Sequence, residues 1–394
     1  MNAVITSYRN LKGDKSIWLI VFLLSILSLL AVYSSTGSIA FKDRGGNTEF
    51  YLIKQAIFVG LGIFLTWVSY RLHYMKYMKL APILLAITIP LLLYTLFFGA
   101  DINQARRWIV IPWIDISFQT SDLAKIALIM FVARSLATKQ EFIKDFKQAF
   151  LPIILPILLI CALIAPMDLS TAALLFVTCL LMMFVGRISL RFVFMLGLAG
   201  AAVIALIFAL GLVFPDFIRS ETWITRITDF FGSSDGEYQV QQAKIAIASG
   251  EFFGLGPGNS LQRNYLPYAY ADCIYAIICE EYGMIGGIAL IGLYLWLLFR
   301  SISLVTRSPR AFGAILSLGL ALNIVIQAFA NIAVSVQLVP ATGLTLPMVS
   351  MGGTSLIFTC ISIGIILSVS RFVEQADIKK NELIEIEKVN AGTN

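Results

Sequence analysis

Charge is scarce in this chain of 394 residues, at 13% Asp, Glu, Lys and Arg, and His73 is the only histidine. Five cysteines, Cys161, Cys179, Cys273, Cys279 and Cys360, show neither Cys-x-x-Cys nor Cys/His ligand spacing, so no zinc site or disulfide framework is supported. Without a metal-ligand motif no protein metal site is expected and the cofactor stays unknown, a divalent cation included. A basic stripe with interleaved aromatics is also missing, which argues against a nucleic-acid partner. No internal repeat is visible, which weakens the case for an inverted-repeat transporter.

What the chain has in abundance is apolar residues. They make up 59% of the sequence at a mean hydropathy of +0.86, more than a soluble domain can cover. They fall in runs of about 17 to 25 residues, the length that crosses a hydrocarbon core of roughly 30 Å. The runs are Ile17–Ser35, Tyr51–Tyr70, Leu80–Phe98, Leu123–Ala137, Ala149–Ala165, Thr171–Gly186, Phe192–Phe214, Asp272–Phe299, Ala311–Val334 and Thr354–Ser370. The expected fold is an all-α polytopic membrane protein of about ten transmembrane helices. A basic head before the first run and small residues after it imitate a signal peptide, but with nine runs following it is read as a retained helix. The fourth to sixth runs are short and carry Asp122, Lys125, Pro152, Pro156 and Asp168 in or beside them. Such residues line something polar inside a bundle.

Lys and Arg set the orientation, because cytoplasmic loops hold the excess. With the N-terminus inside, nineteen fall on the inner side, eight on the outer side and two within spans. Residues 1–16 and 372–394 are then cytoplasmic tails around a transmembrane domain of 17–371, and His73 is read as a solvated inner-loop residue. The longest polar insertion, 215–271, is extracytoplasmic between helices 7 and 8, and a structured loop of that length tends to be functional. Within it Tyr238–Gly250 reads as a short amphipathic helix. Gly254, Gly256 and Gly258 follow, suited either to close approach of backbone amides to a ligand or to a tight turn. Asp272 stands where the loop enters the membrane. A half-solvated acid there could accept a proton, and Asp is also a favoured helix N-cap.

Five segments in order resemble the SEDS (shape, elongation, division and sporulation) family of membrane glycosyltransferases, over about residues 15–372. They are Ala105-Arg106-Arg107-Trp108-Ile109 with Gln119-Thr120-Ser121-Asp122-Leu123-Ala124-Lys125; Asp168-Leu169-Ser170-Thr171-Ala172; the Tyr238-Gln239 to Gly258 stretch; Leu266-Pro267 with Asp272 and Glu280-Glu281-Tyr282-Gly283; and Pro340–Pro347 with Ser350-Met351-Gly352-Gly353-Thr354-Ser355. The family's usual Gln-Pro-Ser-Glu is Gln119-Thr120-Ser121-Asp122 here, and its Pro-Glu-x-His-Thr-Asp is Pro267-Tyr268-Ala269-Tyr270-Ala271-Asp272, which leaves Asp272 as the single acid of that stretch.

The resemblance implies a peptidoglycan glycan-strand polymerase acting on lipid II at the outer face of a bacterial cytoplasmic membrane, inverting the anomeric centre, with Asp272 as general base. It implies Arg106, Arg107, Lys125, Gln239, Gln242, Gly256, Ser350, Gly352 and Gly353 as substrate-binding residues. Asp122, Asp168 and Glu280 are structural or proton-handling candidates. Asp122 and Lys125, three apart on a helix, also read as a plain ion pair, and Asp168 as a cap. Gly343-Leu344-Thr345-Leu346-Pro347 looks like the division (FtsW-like) branch. The partners implied are lipid II, a class B penicillin-binding protein, other division proteins and membrane lipids. A lipid II flippase and a non-catalytic division scaffold are the alternatives.

Overall fold

A computed structural model describes residues 12–45, 47–102, 105–111, 116–213, 220–232 and 238–392. Each of the ten apolar runs maps to one helix. These are α1 (Lys15–Ser35), α3 (Thr48–Arg71), α4 (Tyr74–Phe98), α5 (Thr120–Thr138), α6 (Leu151–Ile164, entered through a π-turn at Phe146–Phe150), α7 (Leu169–Val185), α8 (Leu190–Val213), α11 (Ile274–Arg307), α12 (Ala311–Ser335) and α13 (Thr354–Gly392). Three short helices lie between them: α2 (Gly37–Arg44), α9 (Ser220–Phe231) and α10 (Tyr238–Ser249). Among the described residues seven helices are long and apolar enough to cross a membrane. Two of the other three, α7 and the described apolar part of α8, are shorter. The third, α5, carries Asp122, Lys125 and Arg134 within its 19 residues.

The architecture is the expected helical membrane fold, with one short sheet that the sequence reading did not contain. Between α4 and α5 an antiparallel sheet forms from β1 (Ala100–Ile102), β2 (Ala105–Ile111) and β3 (Ile116–Gln119), with Trp108 opposite both Ala100 and Gln119. The run Trp108-Ile109-Val110-Ile111 is aromatic and β-branched, which suits a strand, and it is too short to be visible as a span. Gln119 ends β3 and directly precedes α5, so the sheet delivers Thr120, Asp122 and Lys125 into the bundle.

Burial separates the centre from the rim. In α12 and the first part of α13, 78% and 72% of the apolar window is buried, against 28% in α3 and α4. The outer helices leave aliphatic side chains such as Ile53, Ile57 and Ile83 exposed, as a lipid-facing surface requires. At the end of the bundle that holds residue 14, Asp14 caps α1 through Ser16 N (2.9 Å), pairs with Arg300 Nε (2.7 Å) and donates its amide to Ser370 Oγ (2.7 Å), tying α1, α11 and α13 together. His73, exposed as expected of a loop residue, also caps α4 by accepting from Met75 N at 3.2 Å.

Candidate functional site

The opposite end of the bundle collects the sheet, the 238–273 segment and the connection between α12 and α13. Its frame is a break in α11. Gly283 sits at φ 67°, ψ −169° inside an otherwise continuous helix. A broken helix frees carbonyls and amides that hydrocarbon cannot satisfy. Here the glycine loop takes them: Leu255 N and Gly256 N donate to the Glu280 and Glu281 carbonyls at 2.9 and 3.0 Å, and Met284 N donates to Glu251 O at 2.9 Å. A Cβ on Gly254 would stand 2.2 Å from the Glu281 carbonyl oxygen, and one on Gly250 2.0 Å from that of Cys279. The close approach that the glycine spacing suggested is therefore made to the helix break, and the Gly256 amide, proposed for substrate, is held by Glu281 O.

Both carboxylates at the break are buried and partnered. Glu280 accepts from the Ser260 hydroxyl, Leu261 N (3.0 Å) and Gln262 N (3.2 Å), and so caps the 3₁₀ turn Gln262–Asn264. Glu281 accepts from the Ser34 hydroxyl of α1. Glu280 fastens the loop to α11, and Glu281 ties α11 to α1.

The segment carrying Asp272 is fixed differently, through its backbone. Three successive carbonyls each receive a donor from another element: Tyr270 O from Met351 N (2.9 Å), Ala271 O from Ser350 Oγ (2.6 Å) and Asp272 O from Asn331 Nδ2 (2.8 Å). The N-cap position of α11 is Cys273, one residue later, and it makes no side-chain cap bond. Asp272 is therefore not the N-cap residue. Its side chain is half-buried and lies near Gly343, where a Cβ would meet Asp272 Oδ2 at 3.7 Å and Arg226 Nη2 at 3.9 Å.

The connection between α12 and α13 is non-helical throughout 336–353, and buried donors from the surrounding helices hold its carbonyls. Asn331 Nδ2 reaches Leu344 O (2.6 Å), Gln327 Nε2 reaches Thr345 O (3.0 Å), Tyr294 Oη reaches Pro347 O (2.5 Å) and Ser28 Oγ reaches Val349 O (3.0 Å). Ser350 also accepts from Leu346 N at 2.8 Å, and the Gly352 amide returns to Ser350 O at 2.8 Å. Gly353, at φ 52°, leads into α13. Sequence reasoning passed over Gln327, Asn331, Tyr294 and Ser28. The first two carried a signal, since Gln327 and Asn331 are polar residues four apart on an apolar helix, which places both on one face.

The remaining candidates form two ion pairs. Arg107 Nη1 meets Asp168 Oδ2 at 2.7 Å, while Asp168 Oδ1 caps α7 through Thr171 N at 3.0 Å, so one carboxylate does both jobs. Lys125 Nζ meets Asp122 Oδ1 at 2.7 Å and donates to Gln327 Oε1 at 3.1 Å, linking that pair to the Thr345 carbonyl. Gln239, on α10, donates to Cys273 Sγ at 3.0 Å, and Gln242 is half-buried one turn on. The side chain of Arg106 lies outside the described residues. Among the described residues no three His, Cys, Asp or Glu side chains converge as a metal site would need.

The sequence profile of the family described as Cell cycle protein (FtsW/RodA/SpoVE) matches residues 14–375. The chain belongs to that family. Among relatives of the FtsW/RodA/SpoVE family, a probable peptidoglycan glycosyltransferase FtsW from Halomonas elongata is 34% identical over 91% of each chain. The protein of the same name from Nitrosococcus halophilus is 32% identical over 88% of this chain and 89% of its own length. A solved structure, described as structural coordination of polymerization and crosslinking by a peptidoglycan synthase complex, superposes with a TM-score of 0.69 at 26% identity, covering 92% of this chain and 98% of that one. Membership in this FtsW-containing family, together with the apolar helices, makes the protein a bacterial multi-pass membrane protein.

Proposed function

We propose that this chain is a peptidoglycan glycosyltransferase that polymerises glycan strands from lipid II in septal wall synthesis, with Asp272 as general base. The observation that supports the assignment to a site is the fixing of three consecutive carbonyls at 270–272, which holds the main chain that carries the Asp272 carboxylate. Positioning of this kind is what base catalysis needs, since a displacement of about an ångström can cost roughly 10²-fold. An acceptor sugar hydroxyl is a weak nucleophile until a base takes its proton. As the acceptor oxygen bonds to the anomeric carbon, the proton passes to Asp272 and the bond from that carbon to the polyprenyl diphosphate breaks. One displacement inverts the centre and needs no second carboxylate as nucleophile.

The site end faces outward in this reading and both termini are cytoplasmic, as the Lys and Arg distribution requires. All five native cysteines are buried, so labels introduced at the exposed positions Phe253 and Thr138 report orientation cleanly. A membrane-impermeant maleimide should reach Phe253→Cys and not Thr138→Cys in intact cells, and the reverse pattern would overturn the orientation. The resemblance to a synthase that couples polymerization with crosslinking supports a class B penicillin-binding protein as partner. The deciding experiment is conversion of purified lipid II to glycan strands by the purified chain, with and without that partner. Absence of product in both arms, with lipid II translocation in liposomes instead, would favour the flippase reading.

A further inference from the structure

Two of the cations expected to bind substrate already hold carboxylates, Arg107 at Asp168 and Lys125 at Asp122. Arg226 takes part in none of the ion pairs among the described residues. It lies on α9, a strongly amphipathic helix whose Trp223 is only 8% exposed and packs into the main apolar core. Arg226 is three residues further on, on the same face of that helix, so the anchoring of Trp223 turns the half-buried arginine toward the bundle. Its Nη2 stands 3.9 Å from the point where a Cβ of Gly343 would lie, and Asp272 Oδ2 stands 3.7 Å from the same point. Gly343 is at φ 67°, a conformation that disfavours any side chain, and among the described residues, its chain neighbours aside, these two are the atoms nearest that point.

We propose that Arg226 binds the diphosphate of the lipid-linked donor in the space beside Gly343 that Asp272 also borders. The proposal rests on the glycosyltransferase reading above. When the acceptor oxygen bonds to the anomeric carbon, the electron pair of the breaking carbon–oxygen bond leaves on the diphosphate while the acceptor proton goes to Asp272. A guanidinium presents paired N–H donors that match phosphate oxygens and keeps its charge throughout, so it stabilises the negative charge as it develops. An acid and an arginine reaching one space from two elements put a proton acceptor and a binder of the leaving group within reach of one reacting carbon.

The test uses the full chain in phosphatidylcholine nanodiscs, with its transpeptidase partner if polymerisation requires it, and farnesyl diphosphate and farnesol as probes. Arg226→Gln should raise the inhibition constant of farnesyl diphosphate by about 10- to 100-fold, the worth of hydrogen bonds to a charged group, and leave farnesol unaffected. Arg226→Lys should recover part of the loss. An unchanged farnesyl diphosphate constant in Arg226→Gln overturns the proposal even if glycan synthesis falls. So does a defect that appears only when phosphatidylglycerol is added, which would make Arg226 a headgroup anchor. If the wild-type chain binds farnesyl diphosphate through Arg226 but makes no glycan, the polymerase reading falls and the diphosphate site stands.

Discussion

Asp272 and the pair Glu280–Glu281 lie within ten residues of one another along the chain, yet the protein treats them in opposite ways. At the break in α11 both glutamates are buried, Glu280 accepting from a hydroxyl and two amides of the loop and Glu281 from the Ser34 hydroxyl of α1. At residue 272 the backbone is held by three outside donors while the carboxylate remains half-exposed toward Gly343 and Arg226. A carboxylate whose lone pairs are filled by fixed donors works as a fastener. In the proposed function, Asp272 is instead the acid that exchanges a proton, carried on a main chain that other elements hold.

The sharpest way to break that contrast is Asp272→Asn. Asn keeps the shape and the backbone contacts but cannot take the acceptor proton, so glycan formation from lipid II should fall by about 10² to 10⁴. Thermal unfolding in detergent should stay close to wild type. Activity retained in full would pass the role of base to another group and make Asp272 one more fastener. Next in size is Gly254→Ala, which sets a methyl group against the Glu281 carbonyl at 2.2 Å in a positive-φ position. It should cost about 1–3 kcal/mol from backbone strain, with steric overlap added, and lower the unfolding midpoint. Normal stability would mean that the loop is not bound to the break as described.

Glu280→Gln sharpens the comparison from the other side. The amide can still accept from Leu261 and Gln262, so the loss should be about 1–2 kcal/mol of charge-assisted bonding, seen in the unfolding midpoint. Activity per folded molecule should hold, unlike in Asp272→Asn; a fall of 10² or more would place Glu280 in the chemistry. The smallest effect is expected from Ser350→Ala, which removes one of the three donors behind Asp272. It should cost about 1 kcal/mol in stability. Glycan synthesis should drop several-fold, with kcat affected more than KM; no change in either constant would show that two of the three bonds suffice.

Much of the site was legible as residue types at boundaries. Asp168 stood before an apolar run, and its capping of α7 follows from that position, but its second bond to Arg107 spans 61 residues and no local pattern announces it. Asp122 and Lys125 were legible as a pair because three residues on a helix face one way. The glycine triplet was legible only as a need for close approach; the object approached, a broken helix about 25 residues later, could not be read from spacing. Arg226 was invisible as a site residue because nothing local distinguishes it from any other loop arginine.

By itself the sequence determined the helical membrane architecture, because apolar runs as long as a bilayer is thick have few other solutions and backbone groups in hydrocarbon must bond within their own helix. It also determined which acids and cations stand at the rim. Only the tertiary structure decided which of those charges neutralise one another, which carbonyls of the 336–353 connection Asn331, Gln327, Tyr294 and Ser28 hold, and which carboxylate remains turned toward Gly343. Those outcomes depend on distances between residues far apart in the chain, and they are set by how the helices and their breaks pack.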